Sequence, residues 1–168
     1  MYDLRLVYND LSTLYEDIDK ILSEIDILSL SNKDINSWKL WKNLGDKAYL
    51  CSAFYEALFC YNKALEINPE NAELLCKKGY ALLKLHKREL AIKYFKRTLN
   101  LDKNHYKALF GLGEAYYSMS DEKNSIKCFE KVLELKPDNI NLILRIAYLY
   151  FELKKYEDAL KYFEKALF

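Results

Sequence analysis

The sequence predicts an all-α fold of helical hairpins stacked side by side, and three observations carry that expectation. Glycine returns in fixed phase: Gly45, Gly79 and Gly113 lie 34 residues apart, and Ala147 takes the next slot. The residues around each of them recur in kind at the same spacing. The 168 residues contain only 4 Gly and 2 Pro, too few turn formers for a protein of many short strands.

Residues 1–37 stand outside this period. Leu4, Leu11, Ile18 and Ile25 share one heptad position, and Val7, Leu14, Ile21 and Leu28 share another three residues on. Tyr8, Tyr15 and Leu22 widen the stripe. The spacing predicts one long amphipathic helix over about residues 3–30, then a polar linker over 31–37. A coiled-coil seam is narrower, and one flank is wholly acidic (Asp3, Asp10, Asp17, Glu24). Docking against several helices therefore suits the stripe better than a two-stranded dimer.

Each repeat unit reads as two helices. Ser37, Asn71, His105 and Asn139 occupy one phase just before the first helix. Ser and Asn side chains accept from the unpaired backbone N–H groups of a helix start, so three of the four are good N-caps. Pro69 and Pro137 stand two residues before a cap and end the preceding helix, with Lys103 in that slot of the second unit. First helices are expected at about 38–51, 72–84, 106–118 and 140–152, and second helices at about 54–67, 88–101, 122–135 and 156–168. The units are then 38–71, 72–105, 106–139 and 140–168.

A glycine inside a helix costs ~1 kcal/mol relative to alanine, so three in one phase need a shared reason. Close approach of two helices is the expected one, each glycine facing the small residue of the second helix twelve positions on: Ala57, Ala91 or Ser125, with Ala159 opposite Ala147. Trp41, Leu75, Leu109 and Ile143 would then pack with the aromatics Tyr61, Phe95, Phe129 and Phe163.

The first unit reads Trp41-x-x-Leu44-Gly45, then Ala57-x-x-x-Tyr61, Ala64 and Pro69; the third reads Leu109-x-x-Leu112-Gly113-x-x-Tyr116, then Phe129. This pattern, held in phase over residues 38–168, resembles the tetratricopeptide repeat family. The resemblance implies a right-handed superhelix whose concave face grips another polypeptide. Four slots depart from it: Ala48 where an aromatic is usual, Lys78 where an aliphatic is, and Thr98 and Val132 where alanine is common.

Composition narrows the function. Lys and Arg number 26 against 25 Asp and Glu, a formal net charge of +1, which suggests neither nucleic acid nor an anionic membrane as partner. No apolar run approaches the ~18 residues of a membrane span, and the N-terminus lacks the basic-then-apolar order of a secretory signal. Cys51, Cys60, Cys76 and Cys128 show neither C-x-x-C spacing nor a disulfide framework, so a reducing, cytoplasmic setting is the simplest reading. Cys76 alone is expected to reach the groove, and so to merit a reactivity test.

No constellation of acid, base and nucleophile is legible, and neither a metal nor a cofactor is expected. His86 falls in a turn and His105 in the cap phase. Gly111 and Gly113 follow no strand and lack a phosphate-loop lysine; they read as helix contacts. Asp121, Glu122, Glu157 and Asp158 sit at helix starts, where the dipole favours them.

What remains of each first helix, once its packing slots are assigned, is an inward stripe. Lys42 and Tyr49 lie on it in the first unit and Tyr80 in the second; Lys107, Phe110 and Tyr117 follow, then Tyr148 and Phe151 with Arg145 at the edge. Tyrosine is a typical anchor at binding surfaces, and packing inside the hairpin does not require it here. The expected function is an adaptor that binds a peptide or helix through this groove. Some members of the family hold chaperone tails with a clamp for two carboxylates. Lys42 and Lys107 match that clamp, whereas Asp46, Lys77 and Gly111 do not, and Asp46 would repel a carboxylate.

Two further expectations concern the ends. The N-terminal helix has a stripe to bury: either it caps the open edge of the first unit, or its acidic flank meets Lys39, Lys42, Lys77, Lys107 and Arg145 in its own groove or a second copy's. The apolar finish Ala166-Leu167-Phe168 fits a longer array or a self-associating end. Structural self-assembly into a homo-oligomer is thus the alternative function.

Overall fold

The structure is a computed structural model that describes residues 37–167. The long helix expected over residues 3–30 and the linker after it lie outside the described residues. Eight helices and no strand are found among the described residues: α1 Trp38–Leu50, α2 Phe54–Ile67, α3 Ala72–Lys84, α4 Arg88–Leu101, α5 Tyr106–Tyr117, α6 Glu122–Leu135, α7 Ile140–Glu152 and α8 Tyr156–Lys165. The expected boundaries hold to within one residue, except that α8 ends at Lys165. The helices pair in sequence into four hairpins, and each hairpin packs on the next as an all-α superhelix.

Three first helices are capped from the shared phase. The Asn71 and Asn139 side chains accept from the N–H groups of Leu74 and Leu142, each at 3.1 Å. The third cap is His105, whose Nδ1 accepts from the Ala108 N–H at 3.2 Å, whereas Ser37, the better cap by residue type, makes no side-chain cap bond. Asp121 caps α6, accepting from the Asn124 N–H at 3.2 Å.

The turn inside each hairpin is made the same way four times. Ser52, His86, Ser120 and Lys154 adopt left-handed backbone at φ 62°, 57°, 56° and 59°. The N–H of each following residue (Ala53, Lys87, Asp121, Lys155) then donates back to the carbonyl of Ala48, Leu82, Tyr116 or Tyr150 at 2.9 Å, closing the end of the first helix.

Packing adds a partner that the spacing did not show: each of these glycines lies against the aromatic ring sixteen positions on. A Cβ on Gly45 would stand 2.6 Å from the Tyr61 ring, on Gly79 2.7 Å from Phe95, and on Gly113 2.5 Å from Phe129. Helical side chains lean over the turn that precedes them, so the later aromatic covers the spot opposite the glycine. Ala57, Ala91, Ser125 and Ala159 are buried as well. Gly111, expected at the groove edge, is buried too. Its Cβ would meet the Phe95 ring of the preceding hairpin at 2.5 Å, so Phe95 lies between two glycines of two hairpins.

The departures from the repeat pattern have local causes. The Lys78 ammonium lies over the Tyr94 ring at 4.2 Å, a cation–π contact that keeps its charge on the surface. Thr98 is fully buried and donates its hydroxyl to the Tyr94 carbonyl at 3.0 Å. Between hairpins three and four the core is all side chain: Ile126, Phe129 and Leu133 against Leu142, Ile143, Ile146 and Leu149. Tyr150 and Tyr162 stack there at 5.6 Å and both donate to Glu130 Oε1, at 2.8 and 2.9 Å.

Candidate functional site

Helices α1, α3 and α5, with the loop before α5, enclose a cleft of about 730 Å³. Tyr49 and Leu50 enter it from α1, Cys76 and Tyr80 from α3, and Tyr106 and Lys107 from α5. Leu50 is 82 % exposed at the end of its helix. Tyr49 is half-buried, its ring edge-on to Phe54 at 5.3 Å; burial raises its phenol pKa.

Tyr80 is half-buried and joins two hairpins. Its hydroxyl donates to the Lys107 carbonyl at 2.6 Å, and its ring meets Phe95 edge-on at 5.1 Å. Burial pushes its phenol well above the ordinary range. Cys76 lines the cleft but is only 3 % exposed, and burial pushes its thiol up to about 12. It is a packing residue with no thiolate at neutral pH. The cysteine exposed to solvent is Cys51, in the turn after α1.

The charged end of the cleft is internally neutralised. Asp46 takes Lys77 at 2.9 Å, Lys42 at 3.4 Å and the Tyr61 hydroxyl at 2.8 Å. Glu73 takes Lys42 at 3.4 Å and Lys77 at 3.8 Å. Burial pushes the Asp46 carboxyl up, but the hydrogen bonds from Lys77 and Tyr61 and the two ammonium charges outweigh it and hold the pKa low. Burial likewise acts against the Lys42 ammonium, and Glu73 and Asp46 prevail, holding its pKa high. Lys107 is exposed and makes no ion pair among the described residues.

Thus Tyr49, Tyr80 and Lys107 come together in one cleft, with Lys42 in the ion network beside it. The other candidates lie along later hairpins. Phe110 packs half-buried on Phe129 at 5.5 Å. Arg145 pairs with Glu114 at 2.5 Å, its guanidinium 5.1 Å from the Tyr117 ring and 5.0 Å from Phe129. Tyr117, Tyr148 and Phe151 are exposed, the last two resting edge-on against Phe163 and Tyr156. Leu50 was not singled out by the groove stripe. A signal for it exists: its repeat phase otherwise carries Lys84, Ser118 and Glu152.

Among the described residues no group of three or more His, Cys, Asp or Glu side chains could hold a metal ion, and no helix is long and apolar enough to cross a membrane.

Four hairpins stacked in register, with a cleft along their first helices, define a helical-repeat solenoid. Tetratricopeptide repeat (TPR) family models match residues 45–85, 72–105, 106–139 and 140–167, and the chain belongs to the tetratricopeptide repeat family. A TPR repeat-containing protein of Methanocaldococcus jannaschii is 77% identical over 113 residues, 67% of this chain and 34% of that protein. The chain thus corresponds to about a third of that relative's length. Among solved structures, MamA superposes with a TM-score of 0.77 at 22% identity, over 99% of this chain and 94% of that one. The first TPR of Spaghetti bound to an HSP90 peptide gives 0.67 at 24% identity, over 70% and 94%. YrrB, described as a TPR protein with an unusual peptide-binding site, gives 0.69 at 21% identity, over 96% and 80%.

Proposed function

We propose that the chain is a protein-interaction adaptor that holds a segment of another polypeptide in the cleft along α1, α3 and α5. The observation that carries this reading is the cleft itself: about 730 Å³, with Tyr49, Tyr80 and the exposed Leu50 as apolar surface and Lys107 as a cation without an ion pair among the described residues. Polypeptide sites of this kind take aromatic and aliphatic anchors, with a few polar groups for orientation. The Spaghetti and YrrB structures, of the same fold, are described with a peptide or a peptide-binding site, which supports the reading. No catalytic role is assigned to any side chain.

The preferred peptide differs from a doubly acidic tail. Asp46 and Glu73 already neutralise Lys42 and Lys77, leaving Lys107 as the cation for one carboxylate. The reading is therefore an apolar or aromatic anchor near Tyr49 and Leu50 with one acidic group toward Lys107.

Selection from a random-peptide display library tests this. Peptides enriched on the wild-type chain are expected to lose at least tenfold in affinity on Leu50→Asp, with its thermal unfolding unchanged because Leu50 is exposed. Lys107→Ala is expected to weaken acidic peptides only. Enriched peptides that bind Leu50→Asp as well as wild type would sink the reading.

A further inference from the structure

The cleft along α1, α3 and α5 has an occupant of matching chemistry within the same chain. The described residues begin at Ser37, and the 36 residues before it carry the apolar stripe and acidic flank read from the sequence. Charge is divided unevenly between the two parts. Residues 1–30 hold seven acids against Arg5 and Lys20, whereas residues 31–168 hold 24 Lys and Arg against 18 Asp and Glu. An acidic segment is drawn to a basic body, and a short tether keeps its local concentration high.

Two surfaces compete for the stripe: the open edge of hairpin one and the cleft. At the inner junctions the edge slots are apolar and covered. They hold Leu74 and Ala81 in α3, Ala108 and Ala115 in α5, and Leu142 and Leu149 in α7, none more than 2 % exposed. In α1 the same slots hold the half-buried Leu40 and the exposed Lys47. An apolar stripe laid on that edge would strip water from the Lys47 ammonium at a cost. The cleft is the better match. Among the residues of α1, Leu50 alone is a large apolar side chain left exposed, and it lines the cleft with Tyr49 and Tyr80. Lys84, which shares the repeat phase of Leu50, and Lys107 are exposed and make no ion pair among the described residues.

The chain can reach this far. Residues 31–37 span up to ~24 Å when extended. Helix α1 has 13 residues, ~20 Å, so a helix running back along it from residue 30 passes Leu50 near residue 17. We infer that residues 3–30 bind as an amphipathic helix in the chain's own cleft. Leu14, Ile18 and Ile21 sit around Leu50, and Asp10 and Asp17 turn toward Lys84 and Lys107. The segment is an internal competitor: a partner polypeptide enters as it leaves, and affinity falls by the fraction of chains in which the cleft is filled. This inference rests on the cleft being the polypeptide site proposed above.

A nitroxide on Cys51, next to Leu50, tests the contact in the full chain labelled with nitrogen-15. Cys60, Cys76 and Cys128 are buried, so Cys51 takes the label. Amides around Ile18 are expected to broaden, and to sharpen when Leu50→Asp is combined with Lys107→Glu. Lys47→Glu, on the open edge, is expected to leave the broadening in place. Sharp amides throughout residues 3–30 overturn the proposal, and so does sharpening by Lys47→Glu alone, which would put the segment on the edge. Broadening found only between a nitroxide-labelled copy and a separate nitrogen-15 copy assigns the segment to a second molecule and also overturns it. Display-selected peptides are expected to bind a Leu14→Asp, Ile18→Asp, Ile21→Asp variant of the full chain at least tenfold more tightly than wild type. Equal affinity overturns the inference and leaves the adaptor reading standing. Peptides that bind neither chain in the cleft count against the adaptor reading, and the nitroxide contact then decides the inference by itself.

Discussion

At the scale of single residues, glycine and aromatic act as one unit. Gly113 sits against the fully buried Phe129 ring, which has no room to move aside. Gly113→Ala gains ~1 kcal/mol of helix propensity but overpacks the ring at a cost of ~1–3 kcal/mol, so net destabilisation is expected in urea unfolding. Ser125 gives the opposite case. It is fully buried in a phase that elsewhere holds alanine, and its hydroxyl finds no hydrogen-bond partner among the described residues. Removing an unpaired buried hydroxyl spares a desolvation cost of ~1–3 kcal/mol, so Ser125→Ala is expected to raise the unfolding midpoint. A lower midpoint would mean that the hydroxyl is satisfied after all. Glycine and ring were both legible in the sequence, but their contact was not. Spacing along one helix does not say how far a side chain leans toward the next.

At the scale of elements, the hairpins were legible because their signals are compositional: caps, prolines and a 34-residue recurrence of size. The turns inside them were not. Ser52, His86, Ser120 and Lys154 share a left-handed backbone but no residue type that announces it. Non-glycine residues there carry ~1–2 kcal/mol of strain, and glycine raises the entropy of the unfolded chain by less, ~0.5–1 kcal/mol. Lys154→Gly and Ser120→Gly are therefore expected to stabilise modestly, and the same substitution at the helical Lys161 to destabilise. His105 capping α5 while Ser37 stays uncapped was equally hidden, since cap preference ranks residue types and not the loop leading into them. For the groove, the stripe was readable but its exposure was not. Tyr80 and Tyr148 share a phase, yet one lies under the next hairpin and the other is open.

At the scale of the whole molecule, buried and half-buried tyrosines tie the stack together, and alkali should loosen it. Burial raises the phenols of Tyr61, Tyr80 and Tyr162, and that of Tyr150 to about 12, with Glu130 adding to the last two. The folded state therefore holds these protons more tightly than the unfolded one, whose tyrosines titrate near 10. Their contribution is complete below pH 10 and is lost as pH rises through the folded values. Urea midpoints should fall between pH 9.5 and about 12, less steeply in a Tyr150→Phe, Tyr162→Phe double variant; an unchanged slope would contradict the tyrosine account. The central functional claim is that stacking places one polypeptide-binding cleft on the first helices. Amide-shift mapping of the full chain, titrated with a display-selected peptide, tests it most directly. The account predicts shifts gathered at Tyr49, Leu50, Cys76, Tyr80 and Lys107; shifts gathered instead on α2, α4 and α6 would contradict it.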